Sequence, residues 1–153
     1  MAAVAVTLAL WATGDGTVSL EIKQREREGI TILDCKGRIV LGPETEQFRT
    51  HIRGLIESGK VNIILNLLQV DYIDSSGLGE LVSLSKSLTR DGGKVRLLNL
   101  NKKQVELLVT TKLATIFELY DDEQHAINSF FPDRNVRTFD LLSFVREIDK
   151  EKK

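Results

Sequence analysis

The fold is decided by the stretch from Val61 to Leu81, which reads VNIILNLLQVDYIDSSGLGEL. Its first part, Val61 to Leu68, is almost entirely apolar, as expected of a central strand that is covered on both faces. An amphipathic helix is predicted from about Ser76 to Arg90, because leucines recur there at helical spacing. These are Leu78, Leu81, Leu84 and Leu88. A buried strand that leads into an amphipathic helix indicates an α/β sheet.

Strands and helices alternate on both sides of this unit. Two strands, Leu20 to Gln24 and Ile30 to Cys35, flank a turn around Gly29 and predict a hairpin, which makes the sheet mixed. The sequence therefore predicts an α/β fold with a mixed β-sheet of about four to five strands and about four helices packed against it. The remaining elements are a helix that starts near Pro43, a strand at Val95–Leu98, a helix capped by Asn101, a strand at Ile116–Leu119 and a helix from Asp121 to Phe130.

Both ends of the chain extend beyond this domain, which we expect to cover residues 18–131. Residues 1–17 form an apolar extension that is too short to span a bilayer and lacks the positive region of a signal peptide. An extra strand, a partner-binding tail and a start-site artefact all remain open for it. Residues 132–153 carry an apolar stripe at helical spacing, which predicts a C-terminal amphipathic helix. Docking on the domain's own surface, a homodimer contact and a partner-helix contact remain open for this helix.

Composition excludes several functional classes. The formal net charge is -1, so no basic excess points to nucleic acid or to an anionic membrane. Cys35 is the single cysteine, which rules out an internal disulfide, favours a cytoplasmic location and indicates plain packing. His51 and His125 lie far apart in the sequence, so we expect neither a metal site nor a cofactor.

The loop before the second helix carries the chemistry that the sequence offers. Ser75 is expected at or near the helix N-cap, beside free backbone N–H groups and the positive end of the helix dipole. A phosphate there would be tolerated, because helix N-termini are natural anion sites. It would add about -1.5 to -2 charges beside Asp71 and Asp74.

The glycines that follow the loop carry a second signal. Gly77 and Gly79 each cost a helix about 1 kcal/mol relative to alanine, which suggests a sharp turn or a close approach. The plainer alternative remains open from spacing alone. In that alternative Ser75 and Ser76 are ordinary caps, and the aspartates only solvate the loop.

The chain resembles the bacterial anti-sigma-factor antagonists, the STAS family, at Asp74-Ser75-Ser76-Gly77-Leu78-Gly79. The resemblance extends from about Val18 to Phe130. It includes Asn66-Leu67 before this signature, and Lys94-Val95-Arg96-Leu97-Leu98 and Leu113-Ala114-Thr115-Ile116-Phe117 after it.

This resemblance implies a cytoplasmic binding module and not an enzyme. Its expected partners are an anti-sigma factor that is also a serine kinase, which would phosphorylate Ser75 and so be released, and a serine phosphatase that would restore the hydroxyl. The partner-binding residues that the resemblance implies are Asp74, Ser75, Ser76, Gly77, Leu78 and Gly79.

One departure from the family pattern supports an alternative function. Many members carry a Gly-x-Leu-Asp-like pattern after the second strand, and here Val40 stands where the acidic residue would fall. The alternative is a constitutive STAS scaffold or accessory subunit, in a stress-signalling or lipid-transport complex. An enzyme or receiver-like phosphodomain that uses Asp71 or Asp74 is disfavoured, because Ser75 has no nearby histidine base in sequence.

Overall fold

The computed structural model describes residues 6–9 and 20–151. Within these ranges one sheet has six strands, which lie side by side in chain order. The strands are β1 (Val6–Ala9), β2 (Leu20–Arg27), β3 (Ile30–Ile39), β4 (Asn62–Ile73), β5 (Lys94–Leu98) and β6 (Glu118–Tyr120). The helices are α1 (Pro43–Glu57), α2 (Ser75–Arg90), α3 (Lys102–Thr110), α4 (Glu123–Asn128) and α5 (Leu141–Glu151).

The sheet is mixed because only its first three strands alternate in direction. β1, β2 and β3 pair antiparallel, whereas β3 to β6 pair parallel. The turn between β2 and β3 has positive φ at Glu28 and Gly29, as a tight hairpin requires. The parallel strands are joined through helices, so their carboxyl ends meet at one edge of the domain.

Alternation along β4 divides the apolar side chains between two cores. Ile63 and Leu65 face the larger core, which also contains buried residues of α1, α2 and α3. Ile64 faces a smaller core that is closed by α4. Both faces of the central strand are therefore covered, and this explains its continuous apolar run.

The predicted α/β fold with a mixed sheet is confirmed, with one strand more than the four or five expected. The additional strand is β1, so Val6–Ala9 of the apolar N-terminal extension form an extra strand of the sheet. The other residues before Leu20 lie outside the described ranges. β4 also runs to Ile73, well past the predicted end at Leu68. Its last part pairs with β3 alone, because β5 reaches only as far as Asn66.

The final predicted strand was placed too early. β6 begins at Glu118, whereas Ile116 is exposed in the turn that follows α3. Apolar character alone could not distinguish the strand from this turn.

The C-terminal extension folds back onto the domain. The backbone N–H of Phe139 donates to the carbonyl of Leu119 at 2.9 Å, at the outer edge of β6. Phe139 and Leu141 pack against the larger core, and Ile148 of α5 is buried. Of the alternatives left open for this helix, the contacts favour docking on the domain's own surface. None of the helices in the described ranges has the length and apolar character needed to cross a membrane.

Cys35 behaves as a packing residue. It lies in the larger core, and burial raises the pKa of its thiol to about 12.

We expect no reaction of the native protein with Ellman's reagent at pH 8, and complete reaction after unfolding in guanidinium. Absorbance of the released thiolate measures both. Labelling of the native protein at the rate of a free thiol would contradict the buried position.

Candidate functional site

The signature residues lie where the parallel strands β3 and β4 end. β4 stops at Ile73, Asp74 follows as a single linking residue, and α2 begins at Ser75. The carboxyl ends of parallel strands are the usual place for sites in α/β sheets, because loops and helix N-termini converge there. The site is therefore built from the start of α2 and the segment after β3.

Gly77 brings α2 into direct contact with β3. A Cβ atom at this position would lie 2.1 Å from the carbonyl oxygen of Ile39, which no side chain could accommodate without a backbone shift. At Gly79, two residues further along α2, a Cβ atom would have nothing within 4 Å. The close approach suggested by the sequence is thus real at Gly77, and packing does not require glycine at Gly79.

Hydrogen bonds of Asp74 stabilise this contact between α2 and β3. Its Oδ1 accepts a hydrogen bond from the N–H of Gly77 at 2.7 Å, and its Oδ2 accepts one from the N–H of Leu41 at 3.1 Å. Its own N–H donates to the carbonyl of Ile39 at 3.3 Å. One residue therefore joins the start of α2 to the end of β3 and to the loop that leads into α1.

Hydrogen bonding also sets the charge state of Asp74. Its pKa is lowered chiefly by the N–H of Gly77, with smaller contributions from the N–H groups of Leu41 and Ser76 and from the charge of Arg38. The side chain is a carboxylate at neutral pH. It is the anion that occupies the positive end of α2.

Ser75 lies directly beside the helix N-cap, within the expected range. Asp74 is the N-cap of α2, and Ser75 is its first helical residue. Of the N–H groups expected beside Ser75, that of Gly77 is taken by Asp74. Ser75 is exposed at the surface.

The six signature residues divide between the surface and the core. Ser75, Ser76 and Gly79 are exposed, and Asp74 is partly exposed. Gly77 is buried against Ile39, and the side chain of Leu78 belongs to the larger core. The face that a partner could touch is formed by the exposed residues, while Gly77 and Leu78 hold it in place from below.

Further side chains that the signature does not contain border this face. Leu41 is 73% exposed and Tyr72 is 52% exposed, and Arg38 lies beside Tyr72. Val40, the position of the missing acid, is partly buried. The link from Leu41 to Asp74 spans 33 positions, so no local pattern could have revealed it.

A bridge between α1 and α2 flanks the site on the other side. Arg49 of α1 contacts Glu80 of α2 through two hydrogen bonds of 2.8 Å. This pair links the two helices, and it engages the guanidinium of Arg49. In the part of the chain that the structure describes, no cluster of three or more His, Cys, Asp or Glu side chains could hold a metal ion.

Comparison with known proteins gives a consistent result. The family model of the STAS domain matches residues 21–126. The anti-sigma F factor antagonist of Paenibacillus polymyxa is 25% identical over 111 residues, which cover 72% of this chain and 94% of that protein.

Solved structures match in fold. The phosphorylated form of the Bacillus cell fate determinant SpoIIAA has a TM-score of 0.57 at 22% identity, over 71% of this chain and 98% of that one, and its unphosphorylated form matches as well. An anti-sigma factor antagonist from Mycobacterium paratuberculosis has a TM-score of 0.63 at 17% identity, over 72% and 93% of the two chains.

The two glycines give a matched pair of substitutions. We expect Gly77→Ala to lower the free energy of unfolding by about 1 to 3 kcal/mol, because the methyl group overpacks the Ile39 contact. Gly79→Ala should leave it unchanged or raise it by up to about 1 kcal/mol, since alanine favours the helix. Urea unfolding followed by circular dichroism measures both. Equal effects of the two substitutions would contradict the close contact.

The lowered pKa of Asp74 predicts that the free energy of unfolding depends on pH in a specific way. Folding lowers its pKa below the ordinary 3.8, so the carboxylate stabilises the folded state at neutral pH, and this stabilisation is lost as the pH falls through the lowered value. The gap in unfolding free energy between the wild type and Asp74→Asn should be constant from pH 7 to about pH 5 and should shrink below about pH 4. Urea unfolding at each pH tests this expectation, and a gap that widens in acid would refute it.

Asp74→Ala, which also removes the helix cap, should lower the free energy of unfolding by about 1 kcal/mol at pH 7.

Proposed function

The chain belongs to the STAS family, and from that premise we propose that it is an anti-sigma-factor antagonist switched by phosphorylation of Ser75. The unmodified protein binds an anti-sigma factor that is a serine kinase, in the cytoplasm, and so frees the sigma factor. The observation that carries the proposal is the exposed Ser75 hydroxyl at the first residue of α2, on a segment that Asp74 fastens in place.

Charge explains how phosphorylation would release the partner. A phosphate on Ser75 adds about -1.5 to -2 charges to a face that already carries the carboxylate of Asp74 and the exposed side chain of Asp71. Juxtaposed like charges cost several kcal/mol at an interface, and the phosphate would also have to lose water on binding. A partner adapted to the hydroxyl would therefore dissociate.

The fold itself would stay intact in this scheme. Ser75 makes no contribution to either core, and the helix N-terminus keeps its internal anion, Asp74. Support also comes from the neighbour SpoIIAA, which is known both with and without phosphate in the same fold.

In the proposed reaction this chain is the substrate and not the catalyst. The kinase transfers the γ-phosphoryl group of ATP to Oγ of Ser75, so that a P–O bond to ADP breaks and a P–O bond to serine forms, while the hydroxyl proton leaves. A serine phosphatase returns the phosphate to water and restores the hydroxyl. No side chain of the site needs to act as a base.

A constitutive accessory subunit is the second candidate function, and one observation favours it. The acidic position after β3 is Val40, and the neighbouring Leu41 presents an apolar side chain that is 73% exposed. An apolar contact of this kind suits an assembly that stays together regardless of the state of Ser75.

Phosphorylation is tested by incubating the protein with ATP and the candidate anti-sigma kinases of its source organism. We expect intact mass to rise by one phosphate, peptide mapping to place it on Ser75, and Ser75→Ala to abolish it. Ser76→Ala is the matched control and should still be modified, because its neighbour keeps the acceptor hydroxyl. Modification of Ser76 alone would refute the assignment.

Capture of the same kinases separates the two candidate functions. Ser75→Ala should retain the kinase, whereas Ser75→Asp should lose most of it, since a fixed charge imitates the phosphate. Isothermal titration or a pull-down with purified kinase provides the measurement. Equal binding by the two variants would remove the switch and favour the accessory subunit.

A further inference from the structure

Arg38 is a cation near the site that has an aromatic neighbour and no directly bound carboxylate among the described residues. It is exposed on β3 and faces Tyr72, its neighbour in register on β4. The guanidinium carbon lies 5.9 Å from the centre of the Tyr72 ring, within the range of a cation–π contact. Among the described residues it forms no ion pair with a carboxylate.

The backbone brings Arg38 and the acceptor serine to the same end of the sheet. The residue after Arg38 is Ile39, and its carbonyl accepts the N–H of Asp74 at 3.3 Å. The residue after Asp74 is Ser75. Arg38 and Ser75 thus lie on either side of one directly bonded pair. The effect of the Arg38 charge on Asp74, although smaller than that of the hydrogen bond from Gly77, agrees with this proximity.

A second cation near the site, Arg49, is already engaged. Arg49 is held by Glu80 through two hydrogen bonds of 2.8 Å across the α1–α2 gap. A phosphate would have to share Arg49 with Glu80. At the helix N-terminus, the N–H of Gly77 is already taken by Asp74. Arg38 is exposed and has no carboxylate bound to its guanidinium among the described residues, so it is the cation that we assign to a phosphate.

We propose that the guanidinium of Arg38 forms an ion pair with the phosphate when Ser75 is phosphorylated. This inference rests on the proposed phosphorylation of Ser75 and adds a residue to it. Before phosphorylation the guanidinium stays on Tyr72 and remains available to an acidic group of the partner. After phosphorylation the guanidinium pairs with the phosphate. The partner then loses Arg38 as a cation for its acidic group, and it also faces the negative charge of the phosphate. Arginine suits this role because its planar fork matches two phosphate oxygens.

The pair is tested with phosphoserine incorporated at position 75 by an expanded genetic code, so that no kinase is needed. The second ionisation of phosphoserine, near pH 6, is followed by phosphorus NMR between pH 4.5 and 8. A neighbouring cation favours the dianion and lowers this pKa. Arg38→Gln should therefore raise it by roughly 0.2 to 0.7 pH units, as expected of a surface ion pair. Arg38→Lys, which keeps the charge, should raise it less.

Arg49→Gln is the matched control, and it should leave the phosphate pKa unchanged within about 0.1 unit, because Arg49 is bound to Glu80. Circular dichroism confirms that each variant is folded. In nitrogen-15 spectra the Nε–Hε signal of Arg38 should move when Ser75 carries phosphate. Equal phosphate pKa values in the wild type and Arg38→Gln, or a larger shift in Arg49→Gln, would overturn the pair. Failure to find a kinase would weaken the proposed function and leave this result standing.

Discussion

The site depends on the contact between the backbone of Gly77 and the carbonyl oxygen of Ile39. The space for a side chain at Gly77 is taken by that carbonyl, so the first turn of α2 packs directly on the end of β3. Asp74 then joins both to the loop at Leu41 through its carboxylate. Without this contact the start of the helix would not be held against the sheet, and Ser75 would have no fixed position on the surface.

The N-terminus of α2 carries its own anion. Free N–H groups at such an end can also receive a phosphate or another external anion. Here the anion is internal, because Asp74 accepts the bond from Gly77 and its pKa is lowered by it. A phosphate on Ser75 therefore stays on the outer surface, where it meets Arg38, Tyr72 and whatever a partner presents. In the proposed switch, phosphorylation would change the charge of a face whose backbone does not move.

Sequence patterns predicted the parts of this structure that depend on local periodicity. The leucines of α2 and the cap at Asn101 are visible without coordinates, and Asn101 caps α3 as expected. The end of β4 at Ile73 was not visible, because its last residues pair with β3 alone and lose their apolar alternation. The position of Asp74 as the cap was missed since an adjacent Asp and Ser are equally good caps. Contacts across long sequence separations, such as Leu41 with Asp74, have no local signature.

Hydrogen exchange at two amides tests most directly whether phosphate changes the surface and leaves the fold alone. The N–H groups of Leu41 and Gly77 are both held by the Asp74 carboxylate. In protein that carries phosphoserine at position 75, NMR-detected exchange should show both amides protected to the same degree as in the unmodified protein. Loss of protection at Leu41 while Gly77 stays protected would mean that the phosphate has replaced Asp74 at the helix end, and this result would contradict the account.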